Sequence, residues 1–410
     1  MASDLMIPAA EYAVRRDRVR QEMEQRGLDT LLIFHPIRIA YLTGFFHQIT
    51  ERPIVLVFAP DGRLGILVPA LEQESSALVP GIDRVWSYPE YPTGGTRHPM
   101  RHLVDFLGEL GCTGSGARIG ADNDGALDVN GYRGPLLSAL LPSGVSLAMA
   151  RDLVDDMRAV KSAAEIDLLA KACHWADVTH QIMQDAVAVG KNELQIAHEA
   201  SYQGSLRMLD ALGVDYQPAS RGFFQPWCGM PAVVYLIAGA RTAMPHSLST
   251  ADTGIQPGDV LVTFVATDVG GYQSELERTM FVGDPPAEFV RNFDMMLQLQ
   301  THAFGVLTPG KRLADAEAEI VALFAELGVL DRQRHHSGHA IGLEGHEQPF
   351  IDLGDETVIQ EGMVFTVEPG LYVPGLAGFR HSDTAVVRAS GGAERLTHYP
   401  RDLASLVIPV

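Results

Sequence analysis

Between Gly271 and Thr279 the chain reads Gly-Tyr-Gln-Ser-Glu-Leu-Glu-Arg-Thr. A β-strand alternates its side chains, so Glu275, Glu277 and Thr279 would share one face. Two carboxylates looking the same way are a candidate acid/base pair, although a solvated strand face produces the same spacing. Histidines narrow the choice. His246 follows Met-Pro, His339 sits in Ser-Gly-His-Ala-Ile-Gly, and His346 sits in Glu-Gly-His-Glu. Each lies beside Gly or Pro, where strands end and where loops on a rigid scaffold carry function. A lone histidine is more often structural, but several beside acidic strand positions can run proton transfers near neutral pH. Glu368, in Val-Glu-Pro-Gly, adds a third carboxylate at the end of an apolar run.

These residues need a scaffold. With 410 residues and 46% hydrophobic content, the chain exceeds what one core usually organises and can fill two. Tyr12, Val19 and Met23 fall near one face of a helix ending at Gly27, and short apolar runs at 30–34, 54–58 and 64–68 read as strands. Asp61-Gly62 between the last two is a hairpin signal. Leu103, Phe106, Leu107 and Leu110 recur at helical spacing. This N-terminal part, residues 1–155, is expected to be an α/β domain. Near residue 155 the pattern changes. Ser162 and Glu165 form a capping box ahead of a long apolar stripe through Ile166, Leu169, Ala170 and Cys173. Residues 156–410 follow with strand-like runs at 260–266, 272–282, 363–367 and 384–387, an α+β pattern with helices packed outside.

The formal charge is −20, which disfavours partners that demand clustered cationic surface, nucleic acid and anionic membrane alike. No apolar run approaches the roughly 18 residues of a membrane span, and the first residues lack a signal-peptide pattern, so a cytoplasmic location is expected. The three cysteines, Cys112, Cys173 and Cys228, have neither disulfide nor zinc spacing. Phe223, Phe224, Trp227 and Met230 suggest an aromatic wall or simply core.

Taken in order, Leu-Val-Thr-Phe…Gly-Tyr-Gln-Ser-Glu-Leu-Glu-Arg-Thr, Ser-Gly-His-Ala-Ile-Gly-Leu-Glu-Gly-His-Glu, Val-Glu-Pro-Gly-Leu-Tyr and Gly-Phe-Arg-His-Ser-Asp-Thr resemble the consecutive motifs of the pita-bread family of creatinase, prolidase, aminopeptidase P and methionine aminopeptidase. Tyr41-Leu-Thr-Gly-Phe also resembles the first domain of creatinase and prolidase. The resemblance implies a creatinase-like N-terminal domain and a pita-bread catalytic domain. In the metallopeptidases of this family two Asp, one His and two Glu hold two metal ions. Mapped by motif, those positions are Phe264, Glu275, His339, Glu368 and Ser382. Phe264 cannot coordinate a cation and Ser382 is a weak neutral ligand, so no tight dinuclear centre is expected and no cofactor is required. What remains is room for one weakly held divalent ion at Glu275, His339 and Glu368.

These departures resemble creatinase, which works without metal. Leu276-Glu277-Arg278-Thr279 matches its motif, His246 matches its catalytic histidine with a one-residue shift, and Glu368 matches a substrate-binding glutamate. Arg52-Pro53 stands where creatinase places the arginine that one subunit donates to its partner's substrate carboxylate. Two other positions depart from creatinase, Phe350 and Ser382, so the substrate should not be creatine. The resemblance therefore implies a homodimeric, metal-independent hydrolase cleaving a C–N bond of a small amidine, guanidino or amide substrate that carries a carboxylate. His246 would be the general acid/base, and Glu275 would assist or serve as the base. Glu277 and Glu368 would accept substrate N–H groups, while His339 and His346 would orient the oxygen. Arg52 and Phe264 would complete the substrate site. Two other readings are an Xaa-Pro dipeptidase or aminopeptidase P-like peptidase, and a non-catalytic peptide-binding module.

Overall fold

The computed structural model describes residues 4–90, 97–125, 134–216 and 230–410. Contacts divide the chain at Arg158/Ala159 into two units, with residues 4–6 grouped with the second.

The first unit contains α1 (Ala9–Gln25), β1 (Thr30–Ile33), α2 (Pro36–Thr43), β2 (Val55–Phe58), β3 (Leu64–Pro69), α3 (Gln73–Ala77), β4 (Arg84–Tyr88), α4 (Pro99–Glu109), β5 (Arg118–Ala121) and β6 (Ser146–Met149), and α5 (Asp152–Ala159) runs to its boundary. Its six strands form one mixed sheet in the order β4-β3-β2-β1-β5-β6. The hairpin expected at Asp61-Gly62 joins antiparallel β2 and β3, and Gly62 takes the left-handed conformation, φ 90°, that such a turn asks of a glycine. The apolar face of α4, through Leu103, Phe106 and Leu107, joins Leu32, Val55, Val57 and Ile119 in the core. Helix α1 differs from expectation in one respect. Its buried residues are Arg15, Val19 and Met23, whereas Tyr12 is only half-buried. Arg15 can be buried there because its guanidinium caps the Tyr41 carbonyl at 2.8 Å and stacks over the Tyr41 ring.

The second unit opens with α6 (Ala163–Ala186), and both halves of its capping box form: Ser162 accepts from the Glu165 amide, and Glu165 accepts from the Ser162 amide. There follow α7 (Glu193–Leu212), β7 (Ala232–Ala238), β8 (Val260–Val269), β9 (Tyr272–Gln273), β10 (Leu276–Val282), α8 (Ala287–Val306), α9 (Leu313–Glu326), β11 (Gly338–Ala340), β12 (Glu347–Ile351), β13 (Val364–Val367), β14 (Gly370–Val373), β15 (Ala377–Arg380) and β16 (Ser382–Val387). The main sheet runs β12-β11-β13-β16-β10-β8-β7 and these neighbours pair antiparallel. Helices α6 and α7 pack on β8 and β7. Their apolar faces and those of α8 and α9 close one core, from Ala176 and Ile196 to Phe293 and Phe324. This is an α/β domain followed by an α+β domain, as the sequence implied.

Arg278 of the Leu-Glu-Arg-Thr run is structural. It is fully buried and donates to Asp383 and to the carbonyls of Glu277, Ser382, Tyr399 and Pro400. Asp383 also accepts from Gln300 and Thr397. A buried pair with its polar atoms engaged this fully avoids the penalty of an isolated charge and locks β10 onto β16.

Candidate active site

Sheet register builds the site. Tyr235 on β7 lies opposite Phe264 on β8, Phe264 lies opposite Glu277 on β10, and Glu277 lies opposite Ser382 on β16. Glu275, just ahead of β10, and Glu277, within it, turn to the same side by alternation, as expected, and both line a cavity of about 580 Å³ together with His246, Phe264, His346, Glu368 and Arg380. The third member of that alternation, Thr279, is consumed structurally, since its hydroxyl bridges the backbone N–H and C=O of Arg380. His339, on the short strand β11, is completely buried behind the cavity wall. Its imidazole stacks on His346 with ring centroids 3.7 Å apart, and its Nε2 lies 3.2 Å from Glu368 Oε1 and 3.9 Å from Glu275 Oε2.

The charges divide unevenly among these groups. Burial by itself would lower His339, but the contact with Glu368 and the negative charge of Glu275 and Glu368 overcome it and hold the ring up to about 9. Burial opposes ionisation of Glu368 too, yet His339 at hydrogen-bonding range holds it well below the ordinary carboxylate range. His346 is pushed down to about 4, first by burial and then by the positive His339 beneath it, so it is a neutral ring at pH 7. Glu275 is pushed up to about 7 by burial and by Glu368. Its Oε1 accepts the Ser382 hydroxyl at 2.7 Å.

Glu277 meets opposed influences. Burial, the largest, raises it, while Arg380 opposes the rise and is itself held well above its ordinary value. Arg380 Nη2 and Nε each lie 2.5 Å from a Glu277 oxygen. A guanidinium keeps its charge across the accessible pH range, so we take this fork as ionic at neutral pH. Three buried carboxyl groups then face two cations, His339 and Arg380. Neutrality is met when one carboxyl keeps its proton, and Glu275 is the one without a cation of its own. The cavity thus holds a carboxyl that exchanges its proton near neutral pH, beside the neutral ring of His346.

Several contributors were not assigned roles from sequence. Arg380 stands in the quoted Gly-Phe-Arg-His-Ser-Asp-Thr motif, but its partner Glu277 is remote in the chain. Behind it, Arg380 Nη1 donates to the Tyr372 hydroxyl at 3.1 Å, and that hydroxyl lies 2.8 Å from His335 Nε2. His335 Nδ1 faces the His336 carbonyl at 2.7 Å. A carbonyl only accepts, so Nδ1 carries the proton, Nε2 accepts, and Tyr372 O–H must point to it. Burial keeps His335 neutral, in line with this tautomer. His335, His336 and Tyr235 also line the cavity. Tyr235 stands in an apolar strand and gave no sequence signal beyond core.

Other expectations need correction or fall elsewhere. His246 lies in an exposed turn on the cavity wall. Arg52 belongs to the first unit, where its guanidinium forks onto Glu90 at 2.9–3.1 Å and meets Glu51 at 2.8 Å. Within this chain its partners are neighbouring acids. Phe350 packs beside His336. Met230 is not part of the cavity wall, and Phe223, Phe224, Trp227 and Cys228 lie outside the described residues. Cys112 and Cys173 are free and buried. No described helix is long and apolar enough to cross a membrane.

The side chains do not fit a dinuclear metal centre of the kind the motifs bring to mind. Phe264 supplies no donor atom, and its ring is stacked on Tyr235, centroids 4.5 Å apart and planes 14° apart. Ser382 spends its hydroxyl on Glu275, and both oxygens of Glu277 face Arg380. Smaller groupings do exist: donor atoms of Glu275, His339 and His346 lie within 4.8 Å of one another, as do those of Glu275, Glu277 and Glu368.

Residues 167–389 match Metallopeptidase family M24, and residues 15–160 match the Creatinase/Prolidase N-terminal domain; the chain belongs to this family. An Xaa-Pro dipeptidase of Pyrococcus furiosus is 32% identical over 253 residues, covering 62% of this chain and 67% of the relative. A probable dipeptidase PepE of Mycobacterium tuberculosis is 29% identical over 411 residues, covering 98% of each chain. The crystal structure of dipeptidase PepE from Mycobacterium ulcerans superposes with a TM-score of 0.80 at 28% identity, covering 99% of this chain and 100% of that one. The pita-bread expectation therefore stands, but the leaning toward creatinase within the family is corrected. These relatives carry dipeptidase names.

Proposed function

We propose that this chain hydrolyses the C–N bond of a small, dipeptide-sized amide and that it does so with protein acid and base groups in place of two metal ions. The dipeptidase names of its relatives favour a peptide bond. The observation that carries the metal-independent part is the occupation of two ligand positions by Phe264, stacked on Tyr235, and by Ser382, bonded to Glu275. A cavity of about 580 Å³ suits a ligand of this size.

In the proposed cycle His246 takes a proton from water as its oxygen attacks the carbonyl carbon, forming the C–O bond. Glu275, pushed up to about 7, gives the proton of its protonated form to the nitrogen as the C–N bond breaks, and the amine leaves neutral. Proton exchange with solvent then returns His246 and Glu275 to their starting forms. Glu277, fixed by Arg380, and Glu368, fixed by His339, accept substrate N–H groups, and neutral His346 orients the substrate oxygen. A second reading rests on Glu275, His339 and His346, whose converging donor atoms would suit one divalent ion.

The experiment is hydrolysis of creatine, ectoine and a panel of dipeptides including Gly-Pro by the purified chain, His246→Ala and Glu275→Gln. Dipeptide cleavage lost in both variants supports the proposal. Cleavage unaffected by either variant contradicts the assigned acid and base, and no cleavage by the unmodified protein would favour a binding module.

A further inference from the structure

Acyl transfer builds negative charge on the substrate oxygen, and a site that does not place a metal ion there needs a fixed hydrogen-bond donor. Several donors on the cavity wall are already engaged. Arg380 serves Glu277 and Tyr372. The Gln273 amide donates to the Leu343 carbonyl, Ser249 donates to Leu236, and Ser274 is tied to Thr267. Four of the imidazoles on the wall, exposed His198, His246 and His346 and half-buried His336 outside any strand or helix, belong to no fixed side-chain hydrogen bond in the described residues.

Tyr235 is different. It sits inside β7, its ring is held against Phe264 directly across the strand pair, and it lines the cavity. Its hydroxyl makes no hydrogen bond among the described residues. Burial first, then the negative charge of Glu277, with Glu275 and Glu368 adding, pushes the phenol well above its ordinary range, so the O–H keeps its proton. A rigid, neutral, unengaged donor stands one strand from Phe264 and two strands from Glu277.

Resting on the hydrolytic reading above, we propose that the Tyr235 hydroxyl is a catalytic residue, the donor that stabilises the oxyanion of the tetrahedral intermediate. The Phe264 ring, standing where the family's motif places a metal ligand, is the wall that aims it. No bond to Tyr235 forms or breaks in this step; the phenol O–H donates to the oxygen as charge develops and relaxes when the C–N bond breaks.

Tyr235→Phe keeps the ring and its stack and removes only the donor. On the dipeptide that the unmodified protein cleaves best, kcat should fall about 100-fold, with KM within threefold and Tm unchanged. A phosphinate dipeptide analogue, tetrahedral and anionic, should lose affinity by a similar factor in Tyr235→Phe, while a non-cleaved planar amide should not. A kcat within threefold of the unmodified protein would overturn the inference. So would a large kcat loss with undiminished phosphinate binding, which would mean Tyr235 acts through the packing. Silence of the unmodified protein on every substrate is a different failure: it removes the hydrolytic reading and this inference with it.

Discussion

Replacing Glu275 with Gln tests the assignment of the proton. Gln keeps the shape and can still accept the Ser382 hydroxyl now bonded to Oε1 at 2.7 Å, but it has no acidic proton to give. General acid catalysis contributes about 10²- to 10⁴-fold, so Glu275→Gln should lose at least about 100-fold in kcat. The pH profile carries the sign. Glu275 is raised to about 7, so if its protonated form acts, kcat falls above that pH, about tenfold per unit. The variant's residual rate should lack this limb. Stability follows the same group. The folded state keeps a proton that an ordinary glutamate loses near 4.5, so folding stability declines as pH rises from there to about 7, by up to about 3 kcal/mol. His339, raised to about 9, contributes stability that is full below its ordinary 6.5 and is lost as pH climbs through 9. Urea titrations at several pH values should therefore show the lower window flattened in Glu275→Gln and the upper one retained. Activity that rises through pH 7, or a variant retaining more than a tenth of the rate, would refute the reasoning and make Glu275 a base or a bystander.

Phe264→Asp with Ser382→Glu restores carboxylates at both altered positions. The double variant should take up close to two manganese or zinc ions per chain. At free metal about 100-fold above Kd, each ion should add about 2.7 kcal/mol, so two add about 5 kcal/mol, or roughly 10–20 °C in Tm for a unit of about 250 residues; unchanged metal content by elemental analysis would contradict the motif mapping. Asp383→Asn leaves the fully buried Arg278 charge without its counter-ion and should cost about 3–5 kcal/mol in urea unfolding, against a refuting loss below about 1 kcal/mol. Arg52→Ala removes partly exposed ion pairs to Glu51 and Glu90 and should cost no more than about 1 kcal/mol, with kcat/KM within threefold. A tenfold rise in KM would instead place Arg52 in a substrate site.

The sequence revealed what depends on local periodicity. Period-two alternation turned Glu275 and Glu277 toward one cavity, the capping box at Ser162 and Glu165 formed, and Asp61-Gly62 made its turn. Glycine-flanked His339 and His346 came together as a stacked pair. What sequence could not supply is pairing across strands. Arg380 acquires meaning only when antiparallel register sets β16 beside β10 and β15 leads into it, bringing the guanidinium onto Glu277. Tyr235 in an apolar run reads as core until the register sets it against Phe264. Likewise the split of charge among Glu275, Glu277 and Glu368 arises from burial and from which carboxyl captures which cation, and neither is written in spacing. Arg52 shows another limit: a motif match singles out the residue, and the structure adds its ion pairs to Glu51 and Glu90.

The central claim is that hydrolysis proceeds without a dinuclear metal centre. Elemental analysis of the purified chain, paired with dipeptide cleavage before and after chelation, tests it most directly. The account predicts less than about 0.2 metal ion per chain and cleavage that survives the chelator but not His246→Ala. Close to two ions per chain with chelator-sensitive cleavage would contradict it, and close to one would move the site to the Glu275, His339 and His346 grouping.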